Sequence, residues 1–346
     1  MSSRFILTLD KLFIKLTSLF NAVFKSRTQS SFLHSCIFTM LLLCLILSFN
    51  SACSQSKTGH TKIRLGYIQS DLHHLPAFVA IEKGFFQQQG LDVEVAGAFR
   101  AGPELMSAFA ASELDVGYVG LAPVITAAAN NNAAIRIIAQ VNTEGSAIVV
   151  GTTSPVSSAA DLKGKMIAIP GHATVQDFLF RKAMKNAGIP VDQVKTLVLK
   201  PPEMIPALNE KDIEAFIAWE PYPSKALTQN KGKILIYSGQ IWPNHPCCVI
   251  VAGEEFLQAR SSDAEKLKIA HKQACRFIQD NRAEAIDIGV KYTGMDRKTI
   301  ETALGHITYN GQLERQYISE YIDFLKALRY IKQDISENLL MKHLKQ

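Results

Sequence analysis

The sequence predicts an α/β protein built as two lobes, each a mostly parallel sheet flanked by helices, followed by a helical C-terminal tail. Three observations lead to this fold class. Short apolar stretches with strand-like alternation are separated by helix-like stretches from residue 63 onward. This rhythm runs over residues 63–151 and starts again over residues 165–238, whereas the chain after residue 252 has mainly helical periodicity. Alternating strands and helices favour parallel sheets joined by right-handed crossovers.

Composition is consistent with two folded lobes. The chain has 346 residues, of which 47% are hydrophobic and 20% charged, so it has enough apolar material for a packed core. At roughly 150 residues per domain, this length suggests two domains or lobes. The formal net charge is +6, and residues 1–31 contribute five basic residues against one acidic residue. The remaining charge is too weak and too mixed in sign for a nucleic-acid surface.

One long apolar run, residues 32–49, decides the predicted compartment. It has no charged residue, follows a basic segment and precedes Ser51 and Ala52, as in an export signal. Because Cys53 comes next, this end resembles a bacterial lipobox, whose cysteine is diacylated, although Asn50 stands where Leu, Val or Ile is usual. An uncleaved signal anchor is the alternative, since a run of this length just suffices to span a bilayer. Both interpretations place the lobes in the cell envelope, outside the cytoplasm and anchored to the membrane.

The predicted organisation has five parts. They are an N-terminal extension with the export signal (1–53), a linker (54–61), a first lobe (62–150), a second lobe (151–245) and a return to the first lobe with the C-terminal helices (246–346). Within the extension, apolar residues of segment 5–24 recur at helical spacing. This pattern is typical of a membrane-surface helix, while a downstream translation start is an equally open interpretation. We assign the extension no function.

The elements of the first lobe follow from alternation and from helix-boundary residues. Gly84 closes the first helix, and Pro103 and Pro123 open the next two, because proline fits the first turn of a helix. The predicted elements are strands over 63–67, 91–96, 116–119, 135–141 and 147–151, and helices over 76–84, 104–111 and 124–129. The second lobe repeats this rhythm with strands over 165–169, 196–200, 215–218 and 234–238, and helices over 175–186 and 202–208.

The chain then returns through a strand over 249–252 and becomes helical. Ser262 and Glu265 have the spacing of a capping box, which predicts a helix start there. Two apolar stripes at helical spacing follow. They consist of Leu267, Ala270, Ala274, Phe277 and Ile278, and of Tyr317, Tyr321, Leu325 and Leu328.

Several short segments resemble a known family. In chain order they read GY at 66–67, PAFVAIEKGFF at 76–86, GLDVE at 90–94, AGPEL at 101–105, LDVG at 114–117, DLKGK at 161–165, IEAF at 213–216 and WEP at 219–221. This ordered set is similar to the solute-binding proteins of ABC importers, in their nitrate, sulfonate and taurine branch, over roughly residues 62–330. The resemblance implies a two-lobed clamp of the periplasmic-binding type that closes on a small ligand.

The resemblance also implies a function and partners. A monomeric receptor would capture a small organic anion, such as a sulfonate, nitrate or taurine, and deliver it to a permease with its own ATPase subunit. No cofactor, metal or catalytic residue is expected. Because the same branch includes receptors for thiamine precursors, a neutral pyrimidine or aromatic ligand stays open. The other alternative is an enzyme similar to the eukaryotic thiamine-pyrimidine synthase, for whose iron-binding cysteines only Cys247 and Cys248 could substitute.

Candidate ligand contacts lie where strands end and helices begin. Helix N-termini expose unpaired N–H groups and a partial positive charge, so they attract anions without Lys or Arg. In open α/β sheets, ligands bind beyond the carboxyl ends of the strands. The predicted contacts are Ser70, His74, Ala101, Gly102, Gly120, Leu121, Ala122, His172, Ala173, Thr174, Trp219, Glu220 and His245.

Each of these segments has a plain structural alternative. The pair His73–His74 in a loop is expected to be solvated more often than to ligate a metal. Thr174 offers a hydroxyl to an oxyanion, Trp219 could cover an apolar ligand or sit in the core, and the glycines could serve helix starts alone. Arg100 is expected on the surface.

The three cysteines of the lobes and the segment just before two of them are expected to have structural roles only. Cys247, Cys248 and Cys275 are predicted to be buried thiols that behave as small apolar residues, and the segment from Trp242 to Cys248 is predicted to form a hinge, with His245 open to the cleft. No nucleophile elbow, HExxH motif or dinucleotide fingerprint occurs. The sequence therefore favours a binding protein over an enzyme.

Overall fold

The computed structural model describes residues 62–309, 312–333 and 335–340. The predicted export signal, the lipidation of Cys53, the surface helix of segment 5–24 and the linker lie outside the described residues. Within the part of the chain that the structure describes, we find no helix with both the length and the apolar character needed to cross a bilayer.

Strands and helices alternate along most of the described chain. The strands are β1 (Ile63–Ile68), β2 (Val93–Phe99), β3 (Val116–Gly120), β4 (Ile135–Glu144), β5 (Ser146–Val150), β6 (Met166–Ile169), β7 (Lys195–Val198), β8 (Ala215–Trp219), β9 (Lys233–Tyr237), β10 (Pro246–Gly253) and β11 (Ile307–Thr308). The helices are α1 (Leu75–Glu82), α2 (Phe85–Gln88), α3 (Gly102–Ala110), α4 (Leu121–Ala129), α5 (Val175–Asn186), α6 (Pro201–Glu210), α7 (Tyr222–Thr228), α8 (Ser238–Ile241), α9 (Glu254–Ala259), α10 (Ser261–Asp280), α11 (Arg282–Thr293), α12 (Arg297–Ala303), α13 (Arg315–Ala327) and α14 (Glu337–Leu340).

The strands form two mixed sheets. The first sheet has the order β11-β4-β10-β3-β1-β2, and the second has the order β7-β6-β8-β5-β9. In the first, β1 runs parallel to β2 and β3, while β10 runs antiparallel to β3 and β4. In the second, β6 runs parallel to β7 and β8, while β5 runs antiparallel to β8 and β9. The predicted α/β class with two sheet-based lobes is confirmed.

Two of the antiparallel strands, β5 and β10, each follow a passage between the sheets, while β11 pairs antiparallel with β4 at the sheet edge. The chain leaves the first sheet at the end of β4, enters the second as β5, and returns from β9 through α8 to β10. β5 was counted with the first lobe in the sequence prediction, but it pairs with β8 and β9 of the second sheet. Its apolar pattern fits either sheet, so the pattern alone could not assign it.

One predicted helix boundary is wrong. The helix α10 begins at Ser261 after Arg260, which supplies no side-chain cap, so Ser262 and Glu265 form no capping box. Instead, the Arg260 guanidinium donates to Asp263 over 2.8 Å. The apolar stripe predicted for this helix is nonetheless largely buried, with Leu267, Ala270, Ala274 and Ile278 in the core.

The C-terminal stripe packs where the chain re-enters the first sheet. In α13, Tyr321 and Leu325 are buried. The ring of Tyr321 lies 4.2 Å from that of Phe178 in α5, and its hydroxyl donates to the Pro246 carbonyl at the start of β10 over 2.9 Å. Thus α13 connects the start of β10 with α5, a helix of the second lobe.

The two passages between the sheets lie side by side. The N–H of Glu144 donates to the His245 carbonyl over 3.0 Å, and the N–H of Ser146 donates to the Ser238 hydroxyl over 3.1 Å. Between them, the Gly145 carbonyl accepts from the Glu220 N–H over 2.9 Å and from His73 Nε2 over 2.8 Å. This one carbonyl therefore connects the passage with both sheets.

Replacing Gly145 by alanine is expected to lower the free energy of unfolding by about 2 kcal/mol or more. Gly145 has φ +83, and an added Cβ would lie 2.3 Å from His73 Nε2. The control Gly164→Ala has φ +73 but no atom within 4 Å of the added Cβ, so it carries the backbone strain without the clash. Urea denaturation measures both variants. An equal loss in the two would contradict the importance of the contact with His73.

Stability should fall in acid because of a buried histidine in α10. His271 Nε2 donates to the Gln140 carbonyl over 3.1 Å, and burial lowers the pKa of His271 to about 4. The unfolded chain binds this proton more tightly, so the contribution to stability is complete above pH 6.5 and is lost as the pH falls toward 4. Between pH 7 and 5 the loss is about 2 kcal/mol. Urea denaturation at both pH values should show a smaller loss for His271→Gln, and an equal loss would contradict this assignment.

Candidate functional site

Three helix N-termini from the two sheets meet at one place. α3 follows β2, α4 follows β3, and α5 follows β6, so the first two start at the first sheet and the third at the second. Each helix start presents backbone N–H groups without intrahelical partners and the positive end of the helix dipole.

A small cavity lies where these helix starts meet. Its volume is about 20 Å³, which is room for about one water molecule. Its lining comes from the ends of four strands, the loop after β1 and three helix starts, namely Ile68, Asp71, Gly102, Gly120, Pro123, Thr174, Val175, Gln176, Trp219, Cys247 and Cys248. Four of these, Gly102, Gly120, Thr174 and Trp219, were predicted as contacts from the sequence. No Lys or Arg is among them.

A larger groove adjoins this cavity at Pro123, which lines both. The groove has a volume of about 410 Å³ and runs between α3, α4 and the turn before α5. The predicted contacts His172 and Ala173 line this groove rather than the cavity. Its volume lies within the range usual for small-molecule sites, about 300–1,000 Å³.

The absence of a side chain at Gly120 lets the two halves of the cavity meet. A Cβ on Gly120 would lie 2.9 Å from Cγ2 of Val175, the first residue of α5. Gly120 ends a strand of the first sheet, and Val175 starts a helix of the second. This glycine therefore serves close contact between the sheets as well as a helix start.

Trp219, which lines the cavity, carries an unpaired donor. It ends β8 and is buried, and its indole Nε1 has no hydrogen-bond partner among the described residues. Buried polar groups normally have a partner, because leaving one unsatisfied costs about 1–3 kcal/mol. A donor without a protein partner at a cavity indicates a position that a ligand or water can satisfy.

The loop after β1 is buried, contrary to the expectation of a solvated histidine pair. Residues Leu72–His74 form a 3-10 turn directly before α1, and His73 and His74 are fully enclosed. His74 Nδ1 accepts from the Ile68 N–H over 3.1 Å, so its proton is on Nε2. Burial, followed by the charge of His73, holds the pKa of His74 well below its usual value.

His73 faces both vicinal cysteines across the sheet. Its Nδ1 lies 3.5 Å from Cys247 Sγ and 3.7 Å from Cys248 Sγ, and the two sulfurs are 3.9 Å apart. Adjacent residues of a regular strand point to opposite faces. Here the pairing of β10 with β4 shifts its register on both sides of Cys248, which lets both thiols reach one histidine.

The predicted burial is confirmed for Cys247 and Cys248, but their contacts with His73 go beyond those of small apolar residues. Burial acts to raise the pKa of Cys247, but the Cys248 thiol and the charge of His73 outweigh it and hold that pKa well below the usual value. Burial raises the pKa of Cys248. The third cysteine, Cys275, is only partly buried, and burial raises its pKa to about 12.

The buried groups around His73 include an imidazole and carboxyl groups whose pKa values are all raised. Burial lowers the pKa of His73, but the charges of Cys247 and Asp71 prevail and raise it to about 10. Burial raises the pKa of Asp71 to about 7, and Asp71 Oδ1 lies 3.2 Å from His73 Nδ1. Burial also raises the pKa of Glu220 to about 7, and the Glu220 carboxylate accepts from the Ser224 N–H over 3.1 Å.

Several other predicted contacts lie in the turns and helix starts that follow the strands. Ser70 and Ala173 have left-handed backbone conformations, with φ of 51 and 58. Ala101 is the extended N-cap of α3, and Leu121 and Ala122 are buried in the first turn of α4.

His245 is buried away from the cavity lining, contrary to the expectation that it is open to the cleft. Its Nδ1 donates to the Trp242 carbonyl over 2.6 Å, and its ring stacks on that of Trp242. Arg100 forms an exposed ion pair with Glu104, as predicted for a surface residue.

The sequence analysis did not predict most of the cavity-lining residues that lie outside the helix starts. Asp71 lies in a predicted loop and Gln176 in the first turn of the predicted helix 175–186, but the sequence analysis predicts only their neighbours as contacts. Cys247 and Cys248 were assigned to a hinge. A strand that returns beside β3 would bring its first residues to the carboxyl end of β3, so an antiparallel assignment of β10 could have indicated them.

Comparison with known structures defines the class of this fold. The chain is similar to the alkanesulfonate-binding protein SsuA from Xanthomonas axonopodis pv. citri bound to MOPS, with a TM-score of 0.71 and 20% sequence identity, over 82% of this chain and 97% of that chain. The fold is that of the two-lobed periplasmic binding proteins, as predicted.

Sequence comparison then gives the family. The model of the NMT1-like family matches residues 56–290, and the chain belongs to this family. A candidate binding protein of Brucella abortus is 29% identical over 268 residues, which cover 76% of this chain and 81% of that protein. The nitrate/nitrite binding protein NrtA of Nostoc sp. is 24% identical over 301 residues, which cover 79% of this chain and 68% of that protein.

Thr174→Ala is expected to destabilise the protein by about 1 kcal/mol through loss of a helix cap. The Thr174 hydroxyl donates to the Gly171 carbonyl over 2.8 Å and accepts from the Asp177 N–H over 3.1 Å. Its hydrogen is thus already used within the turn, which differs from the predicted free oxyanion donor. Thr174→Ser keeps both bonds and should stay near the wild type. Thermal denaturation compares the variants, and equal stability of Thr174→Ala and the wild type would contradict the capping role.

Proposed function

We propose that this chain is the extracytoplasmic solute receptor of an ABC importer and binds a small organic anion of the sulfonate, nitrate or taurine kind. The ligand places its charged group at the cavity between the sheets and its remainder in the adjoining groove. The receptor catalyses no reaction and needs no cofactor to bind its ligand.

The observation that carries this proposal is the meeting of α3, α4 and α5 with the unpaired Trp219 indole at one cavity. The helix starts provide backbone donors and partial positive charge, and the indole provides a further donor. Because no Lys or Arg is among the described residues that line the cavity, these dipoles are its main attraction for an oxyanion. Donors from both sheets around one ligand would also draw the lobes together.

Ligand capture by such a clamp depends on closure. A cavity of about 20 Å³ is too small for an organic anion, so the lobes must separate to admit one. A ligand drives closure only to the extent that it binds the closed form better than the open form. Contacts from α5 and Trp219, which belong to the second sheet, are made together with those of α3 and α4 only when the lobes are close.

Partners and location follow from the same proposal. The closed receptor delivers its ligand to a permease, and a separate ATPase subunit supplies the energy. The receptor acts as a monomer outside the cytoplasm and is held at the membrane through Cys53 or through an uncleaved signal anchor. The names of similar proteins support this role, since they include an alkanesulfonate-binding protein and a nitrate/nitrite binding protein.

A neutral aromatic ligand is the second candidate, and Asp71 is the observation in its favour. Its carboxyl group lines the cavity and would repel an anion when ionised. The Trp219 ring at the same cavity could stack on a pyrimidine. This candidate keeps the receptor role and changes only the ligand class.

A thermal-shift panel tests both candidates. Sulfonates, nitrate, taurine, carboxylates, pyrimidines and flavins are added separately to the purified chain. A ligand present at 100 times its Kd should add about 2.7 kcal/mol of stability. Stabilisation by an oxyanion supports the first candidate, and stabilisation by pyrimidines alone supports the second. Turnover of any compound without stabilisation by the others would contradict the receptor role.

For the ligand found, Trp219→Phe is expected to weaken binding about tenfold or more, because a hydrogen bond to a charged group contributes about 1.5–3 kcal/mol. Phenylalanine keeps an aromatic ring and removes the indole donor. The matched control Trp242→Phe replaces a buried tryptophan that does not line the cavity, so its Kd should stay near the wild type. Isothermal titration measures the Kd of each variant. Equal Kd values for the two variants would remove Trp219 from the site.

A further inference from the structure

Three ligand atoms on two distant segments form a compact triangle beside the cavity. They are Nδ1 of His73 and the Sγ atoms of Cys247 and Cys248, and all three side chains are buried. The edges of the triangle are 3.5, 3.7 and 3.9 Å. Two sulfurs and an imidazole nitrogen are the ligand types that thiophilic metal ions prefer.

The orientation of His73 leaves Nδ1, the nitrogen nearest the two sulfurs, available to a metal ion. Its Nε2 lies 2.8 Å from the Gly145 carbonyl, and a carbonyl oxygen can only accept, so Nε2 carries the proton. In the neutral imidazole, the form in which histidine ligates a metal, the lone pair of Nδ1 therefore faces the two sulfurs. Histidine ligands of metals usually donate their other N–H to a carbonyl or carboxylate, which fixes the ring in this way.

The spacing of the three atoms is that of a metal coordination shell. Around a tetrahedral zinc ion with Zn–N bonds of about 2.0–2.1 Å and Zn–S bonds of about 2.3 Å, the N···S separation is about 3.5–3.6 Å and the S···S separation about 3.8 Å. The observed edges differ from these values by about 0.2 Å or less.

A second group of potential ligands shares Cys248 but lacks a free nitrogen. It consists of Asp71, His74 and Cys248. His74 Nδ1 accepts from the Ile68 N–H, so its Nε2 carries a proton and has no lone pair to offer. The group around His73 is thus the better one.

We propose that His73 Nδ1, Cys247 Sγ and Cys248 Sγ bind one Zn²⁺ ion as three of its ligands. This site connects the loop after β1 with the start of β10. Through His73 Nε2, it also fixes the Gly145 carbonyl in the passage between the sheets. The site does not depend on the proposed anion function. It replaces the sequence-based expectation of no metal.

Zinc titration of the full chain, reduced and freed of metal, tests the proposal. A chromophoric chelator competes for Zn²⁺ and reports its affinity. His73→Gln, Cys247→Ser and Cys248→Ser should each weaken the site more than about 100-fold, since loss of a partner in the outer shell alone costs 10–100-fold. The matched control Cys275→Ser removes another thiol that contacts a histidine, His271, and should keep the wild-type affinity. Because Cys36, Cys44 and Cys53 lie outside the described residues, the difference among variants is the readout.

X-ray absorption at the zinc edge needs no variant, so a folding defect cannot obscure it. The wild type with one equivalent of Zn²⁺ should show two sulfur ligands at about 2.3 Å together with nitrogen or oxygen ligands at about 2.0–2.2 Å. Fewer than two sulfurs would overturn the proposal. Equal zinc affinity of Cys247→Ser, Cys248→Ser and Cys275→Ser would overturn it as well.

Discussion

The arrangement of the two sheets depends on the hydrogen bonds that the Gly145 carbonyl accepts. This carbonyl lies in the first passage between them and accepts from Glu220 at the end of β8 and from His73 after β1. A side chain at this residue would collide with His73, so the contact requires glycine. The same bond sets the tautomer of His73 and thereby what that histidine presents to Cys247 and Cys248. The passage between the lobes and the chemistry beside the cavity are therefore connected by one atom.

Burial explains why this region is organised around mutual partners. Asp71, His73, Cys247 and Glu220 are enclosed, and an isolated charge in such surroundings is costly. The structure compensates by placing carboxyl, imidazole and thiol groups within reach of one another and of backbone N–H groups. Pairs of this kind contribute less to net stability than to a defined geometry, since their desolvation offsets much of their attraction. A defined geometry is what a binding cavity or a metal site requires.

The local sequence pattern was sufficient to predict the site residues that lie at helix starts. Gly102, Gly120 and Thr174 follow strands and open helices, so their location at strand ends could be inferred from short-range signals. Trp219 could be placed in the same way. Asp71, Cys247 and Cys248 could not, because their part in the site depends on which strand lies beside which. His73 and Cys247 are separated by 174 positions in the chain, and no local rule connects them.

The sequence by itself determined the order of strands and helices, the two-lobed class and the helical tail, because hydrophobic periodicity and boundary residues act over a few residues. Only the tertiary structure decided that β5 belongs to the second sheet and that β10 enters between β3 and β4. It also decided that a histidine pair expected in solvent is buried beside two thiols. These outcomes depend on strand pairing and register between distant segments, and pairing is set by the packing of the whole chain rather than by the pattern of any one stretch.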